Sequence, residues 1–217
     1  MQDPDPRPIR SFSSPLHIRS LCFFSNFNKL VTGYEDGSAQ VWSLEPGMEE
    51  GSPMAGHSKA VTSLAVVESG SKVVTGAAHK TLYLTDLRTE EATTEVLRGH
   101  TQTVKCVAVH PSGDYIASGG GDKILRIWDS DACVQIFCSG PLQGAITHTV
   151  FSPNGRWIIT TSGTRLMSLW RAEDLGIDCF TPQMDDDPMS SDPLDTYFAR
   201  YPGFYYDPKE PSTSEFY

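Results

Sequence analysis

His100, Ser118 and Asp122 are the residue types of nucleophilic catalysis. In such a set a hydroxyl attacks, an imidazole takes its proton and a carboxylate holds the imidazolium. The stretch around them, "ASGGGDKILRIWDS" at 117–130, also sets a glycine triplet before Asp122-Lys123, and glycine-rich loops cradle phosphates with backbone N–H groups. Both chemistries lack their context. The Gly-x-Ser-x-Gly elbow that exposes a hydrolase nucleophile is missing, and His17, Thr32 and Asp36 repeat the same side-chain types, although a catalytic triad is not normally built twice. A phosphate loop needs Gly-x-x-x-x-Gly-Lys-Ser/Thr leading into a helix. Here the glycines lead into Ile124, Arg126 and Trp128 alternating with Leu125 and Ile127, which is strand patterning, and Asp122 would repel the anion.

The elements that position these residues repeat. Trp42, Thr85, Trp128 and Trp170 are spaced 43, 43 and 42 residues apart. Before each stands Asp36, His79, Asp122 or Thr164, and before those Thr32, Thr75, Ser118 or Thr160. Leu16-His17, Gly56-His57 and Gly99-His100 open the first three units, with Pro141-Leu142 in the fourth place. A fixed period of this length marks a repeat architecture. Within each period, short apolar runs alternate with turns such as "HPSGD" and "SPNG", so the repeat is all-β.

Units that combine Gly-His, Ser/Thr-Gly-x-x-Asp and a terminal Trp-Asp closely resemble the WD-repeat β-propeller family, over about residues 8–172. The resemblance implies about four four-stranded blades, at about 8–45, 46–88, 89–131 and 132–172, arranged around a channel. It also implies a structural hydrogen-bond chain from Trp128 to Ser118 to His100 to Asp122. The matching set in the first unit is His17, Thr32, Asp36 and Trp42. The second keeps His57 and Thr75 but has His79 and Thr85 in place of the acid and the Trp. The fourth keeps Thr160 and Trp170, with Leu142 and Thr164 leaving it no network. Four units are few for this repeat type, which leaves a truncated piece of a larger propeller, a half-propeller completed by a partner, or a small closed ring; an incomplete or partial ring, with exposed end faces, is expected.

Composition narrows the function. The net charge of -10 is unevenly placed: from Glu173 onward eleven acids face only Arg200 and Lys209, while residues 1–172 hold 16 acids and 15 bases. A neutral body without a basic, aromatic-interleaved stripe is not expected to bind nucleic acid directly. No apolar run has the length of a membrane span and "MQDPDPRPIR" lacks the apolar core of a secretory signal, so an intracellular protein of cytoplasm or nucleus is expected. Five cysteines at irregular spacing, with no C-x-x-C, are expected to be free thiols, and no cluster has metal spacing. No cofactor is expected. Residues 1–7 are expected to be disordered. Residues 173–217, acidic and rich in Pro and Tyr, read as a disordered tail.

The expected function is therefore a non-catalytic scaffold or adaptor that binds other proteins. By the resemblance, partners would engage the turns around Tyr34, Glu35, His79, Lys80, Lys123 and Arg165. A second expectation comes from "LTDLR" at 84–88: Asp86-x-Arg88 resembles part of a motif by which some propellers dock onto a cullin-type ubiquitin-ligase adaptor, which would make the chain a substrate receptor.

Overall fold

The computed structural model describes residues 14–24, 29–44, 52–54, 56–67, 71–88 and 92–177, all within the compact unit Met1–Cys179. The expected disordered N-terminus and almost all of the acidic tail lie outside the described residues.

Four antiparallel sheets follow one another along the chain. The first holds β1 (Ile18–Phe23), β2 (Lys29–Tyr34), β3 (Ala39–Ser43) and β4 (Ser52–Met54). The second holds β5 (Val61–Val66), β6 (Lys72–Ala77), β7 (Thr81–Asp86) and β8 (Thr93–Arg98). β9 (Val104–Val109), β10 (Tyr115–Gly120), β11 (Arg126–Asp129) and β12 (Gln135–Cys138) make the third. The fourth has three described strands, β13 (Ile146–Phe151), β14 (Trp157–Ser162) and β15 (Met167–Arg171), followed by a 3-10 turn at Glu173–Leu175. Each sheet pairs its strands in chain order, so every connection is a local hairpin. Register slips at the same place in each first strand, between Ile18 and Ser20, Val61 and Ser63, and Ile146 and His148, and opposite Gly119 and Gly120 in the third sheet.

The sheets pack face to face through their first strands, β1 on β5, β5 on β9 and β9 on β13. Three apolar clusters fill the joints: Val31, Ala39, Val61 and Leu64 in the first, Leu82, Leu84, Val104 and Val107 in the second, and Leu125, Ile127, Ile146 and Phe151 in the third. Close approach demands glycine at one point of each joint. A Cβ on Gly33 would lie 2.5 Å from Val61 Cγ1, one on Gly76 2.7 Å from Val104 Cγ1, and one on Gly119 2.6 Å from Ile146 Cγ2. The same position in the fourth unit is Thr161.

The arc of blades is open among the described residues. Ala39, Leu82 and Leu125 are 3%, 0% and 0% exposed, whereas Met167, at the same place in the repeat, is 62% exposed. Leu169 and Val150 share that bare trailing face, and Leu21 and Phe23 stand bare on the leading face of β1. The described residues therefore build about four blades as an incomplete ring. Val150 stands at the same place in the repeat as Cys22, Ala65 and Ala108, yet it is exposed, because no further blade covers it among the described residues.

Candidate functional site

The third blade holds the fullest polar network. Trp128 Nε1 donates to Ser118 Oγ at 2.8 Å. Ser118 Oγ is 2.8 Å from His100 Nε2, and His100 Nδ1 is 2.8 Å from Asp122 Oδ2. The proton order that satisfies every atom has the Ser118 hydroxyl donating to Nε2 and Nδ1–H donating to the carboxylate. Burial lowers the His100 pKa, against the pull of Asp122, which raises it, so the neutral imidazole is the working form. Asp122 also accepts from the backbone N–H of Thr101 at 3.1 Å and that of Ile124 at 3.4 Å. The arrangement has the order of a hydrolytic triad, yet Ser118 is fully buried and its oxygen is already taken by an indole. These side chains brace strand, turn and connecting loop against one another.

The other blades hold fragments of that brace. In the first, Trp42 Nε1 donates to Thr32 Oγ1 at 2.8 Å, but His17 is exposed and forms no side-chain hydrogen bond among the described residues. The physical reason lies in the spacing: the residue one 43-residue step before His57 is Ser14, so His17 falls three places further along, next to β1. The Tyr34 hydroxyl takes the imidazole's place, 2.9 Å from Thr32 Oγ1 and 3.2 Å from Gln40 Oε1. Tyr34 is therefore buried, at 2% exposure, and is not available to a partner. Asp36 is exposed and accepts from the backbone N–H and hydroxyl of Ser38 instead of a histidine.

In the second blade His57 Nε2 is 2.7 Å from Thr75 Oγ1. Thr85, which replaces the Trp, is buried and pairs with Thr94 at 3.0 Å rather than with Thr75. Where the acid would stand, His79 meets the His57 ring edge-on at 4.8 Å, and Tyr83 stacks on His57 at 3.9 Å. The Nδ1 atoms of both histidines are buried without partners. Burial, and then the neighbouring His79, lower the His57 pKa to about 4.

The fourth blade was expected to have no network, but one link survives: Trp170 Nε1 donates to Thr160 Oγ1 at 3.1 Å. Thr164 pairs with Ser162 at 2.7 Å. Leu142 lines a cavity of about 260 Å³ with Pro141, Gln143, Thr160 and Ser168. His148 is exposed on β13, its Nδ1 at 3.3 Å from the Thr147 and Thr161 hydroxyls.

The external residues divide between the two ends of the strands. Antiparallel order puts the β2–β3, β6–β7, β10–β11 and β14–β15 hairpins at the same end as the connections into β5, β9 and β13. At the tips of the last three hairpins, Lys80, Lys123 and Arg165 have φ of 78°, 66° and 65° and are exposed. Gly37, with φ 98°, takes that place in the first. A left-handed backbone costs a side-chain-bearing residue about 1–2 kcal/mol. Lys59 and Arg98 lie at the same end, and both lower the pKa of the half-buried His79, after burial itself. In the first blade Glu35 pairs with Arg19 at 2.8 Å. Asp86 and Arg88 lie at the opposite end and are spent on each other, the guanidinium Nε 2.9 Å from Oδ2. Lys72 and Asp131, 2.5 Å apart, also pair there.

Cys22, Cys106, Cys133 and Cys138 are free thiols, and burial pushes Cys106 up to about 12. No group of three or more His, Cys, Asp or Glu among the described residues is placed to hold a metal ion, and no described helix is long and apolar enough to cross a membrane. Sequence reasoning missed the Tyr34 hydroxyl, the His57–His79–Tyr83 cluster and the glycine joints. Only the joints had a signal, the 43-residue recurrence of Gly33, Gly76 and Gly119.

Blades built from local hairpins, joined by glycine contacts and braced by a Trp-Ser-His-Asp chain, define an all-β repeat protein of the propeller type. The family model described as "WD domain, G-beta repeat" matches residues 6–43, 50–86, 91–129 and 132–171. The chain belongs to the WD-repeat family, whose domains generally serve as protein-interaction modules rather than as catalysts. A search of curated proteins found no match.

Proposed function

We propose that this chain is a non-catalytic scaffold that assembles other proteins into a complex on the hairpin-tip end of its blades, where Glu35, His79, Lys80, Lys123 and Arg165 lie. The observation that carries the reading is how the third blade spends its polar groups. His100, Ser118 and Asp122 are turned inward on one another, and the same sheet presents Lys123 outward at its hairpin tip. A rigid arc with exposed tips is a surface for holding partners. The bare end faces, with Leu21 and Phe23 at one end and Met167 and Leu169 at the other, are where a further chain would continue the ring.

The lysines make this testable. Lys59, Lys80 and Lys123 lie at the tip end, while Lys72, which starts β6, lies at the other. The intact chain, captured with its partners and treated with an amine-reactive cross-linker, is expected to give inter-protein links at Lys59, Lys80 and Lys123. Links confined to Lys72 and Lys29 would overturn the assignment of the docking face.

A further inference from the structure

The near-neutral sum over residues 1–172 conceals a separation of charge between the two ends of the strands. Among the described residues of the second to fourth blades, the tip end exposes Lys59, Lys80, Arg98, Lys123 and Arg165, and its one acid is Asp122, which also lies 3.8 Å from the buried Arg126. Asp122 does not offset them outward, because its side chain is 2% exposed and committed to His100. The five cations form no ion pair with any described residue; at the opposite end Arg88 and Lys72 are paired and Arg156 and Arg171 are not, but that end also carries Asp86, Asp114, Asp129 and Asp131. Three of the five occupy one repeating position, with a left-handed backbone at every tip. Glycine, which the first blade uses at that position, would relieve the strain and remove the charge. Each of the three tips instead holds an unpaired cation in a backbone that opposes it.

We propose that this end of the second to fourth blades is a track for an extended acidic peptide segment, with Lys80, Lys123 and Arg165 as successive contacts for its carboxylates. The proposal rests on the reading of the hairpin tips as the docking face and adds the chemical class of the partner. One cation per blade, repeated along the arc, meets an extended chain at intervals, and exposed unpaired charges steer an oppositely charged partner to the surface. A protein segment fits better than a nucleic acid. In these three blades Tyr83 is stacked on His57 and not offered to bases, which nucleic-acid surfaces use as stacking platforms.

The probe is a fluorescein-labelled peptide of about 15 residues alternating Glu and Ser, compared with its Gln-for-Glu analogue, titrated with the intact chain and read by anisotropy. The acidic peptide is expected to bind, more weakly as salt rises, and the Gln analogue to bind at least about tenfold more weakly. The variant Lys80→Gly/Lys123→Gly/Arg165→Gly removes the charges and relaxes the three tips, so its unfolding midpoint should stay level or rise, while its affinity for the acidic peptide falls about tenfold or more. Binding of the Gln analogue equal to that of the acidic peptide would overturn the proposal, as would a triple variant that binds like wild type. Tighter binding of a labelled oligothymidylate of similar length would overturn it in favour of a nucleic-acid surface. Partner cross-links at the tip lysines together with equal binding of the two peptides would leave the docking face standing and remove only the acidic class.

Discussion

The third and fourth blades are built on one ruler and differ in what stands behind each mark. In the third, Trp128 is buried and its indole N–H begins a chain of three hydrogen bonds that ends on an acid in the turn. In the fourth, Trp170 is half-buried and its indole reaches only Thr160; Leu142 and Thr164 replace the histidine and the acid, and a cavity opens beside Leu142 and Thr160. Among the described residues the third blade is covered on both faces and the fourth on one. The difference shows that the repeat sets where strands lie, while covering neighbours and a completed brace decide how firmly they are held.

The largest expected effect comes from the two tryptophans. Trp128→Ala should cost about 3–5 kcal/mol in urea unfolding of the intact chain, and Trp170→Ala roughly 1–2; equal losses would mean that the fourth blade is covered as the third is. Removing the hydroxyls comes next. Ser118→Ala strands both the Trp128 N–H and the ring nitrogen of His100, at about 2–3 kcal/mol, whereas Thr160→Val strands only the Trp170 N–H, at about 1. The joints give a third pair. A methyl on Gly119 must displace Ile146, so Gly119→Ala is expected to cost about 1–3 kcal/mol, while Thr161→Ala, which meets no further described blade and gives up only the half-exposed contacts of its hydroxyl with Thr147 and His148, should cost about 0.5–1.

The smallest effect separates the second blade from the third by pH. Because His57 is held at about 4 in the folded chain, against about 6.5 when unfolded, the folded state favours its neutral form. Its contribution is intact above about 6.5 and is lost as pH falls towards about 4. The stability gap between wild type and His57→Gln should therefore narrow over that interval, measured by urea midpoints at each pH. A gap that does not change would show that His57 titrates normally in the fold.

Much of this was legible in the residues. The recurrence of Trp42, Trp128 and Trp170 located the sheets, because strand ends repeat wherever blades repeat, and the three glycines at the joints recur by the same logic. His17 does not join the Thr32 network because Leu16-His17 lies three residues past the 43-residue mark, which falls on Ser14. The turn sequence around Tyr34 suggests an outward-facing residue. Its position at the end of β2 turns the ring inward, and no residue type announces which way the last residue of a strand will face. The charge separation was hidden by summation. Lys80 and Asp86 are six residues apart in sequence but lie at opposite ends of β7, and only the fold assigns each to its end.

Among the described residues the arc is covered on both faces only in its middle blades, and the proposed docking surface requires those blades to be the firmly held part of the frame. Amide hydrogen exchange of the intact chain tests it strand by strand. Slow exchange in β6 and β10, with β14 and β15 exchanging markedly faster, is the result this account predicts. Equal protection of β10, β14 and β15 would contradict it, because the trailing face of the fourth blade would then have to be covered.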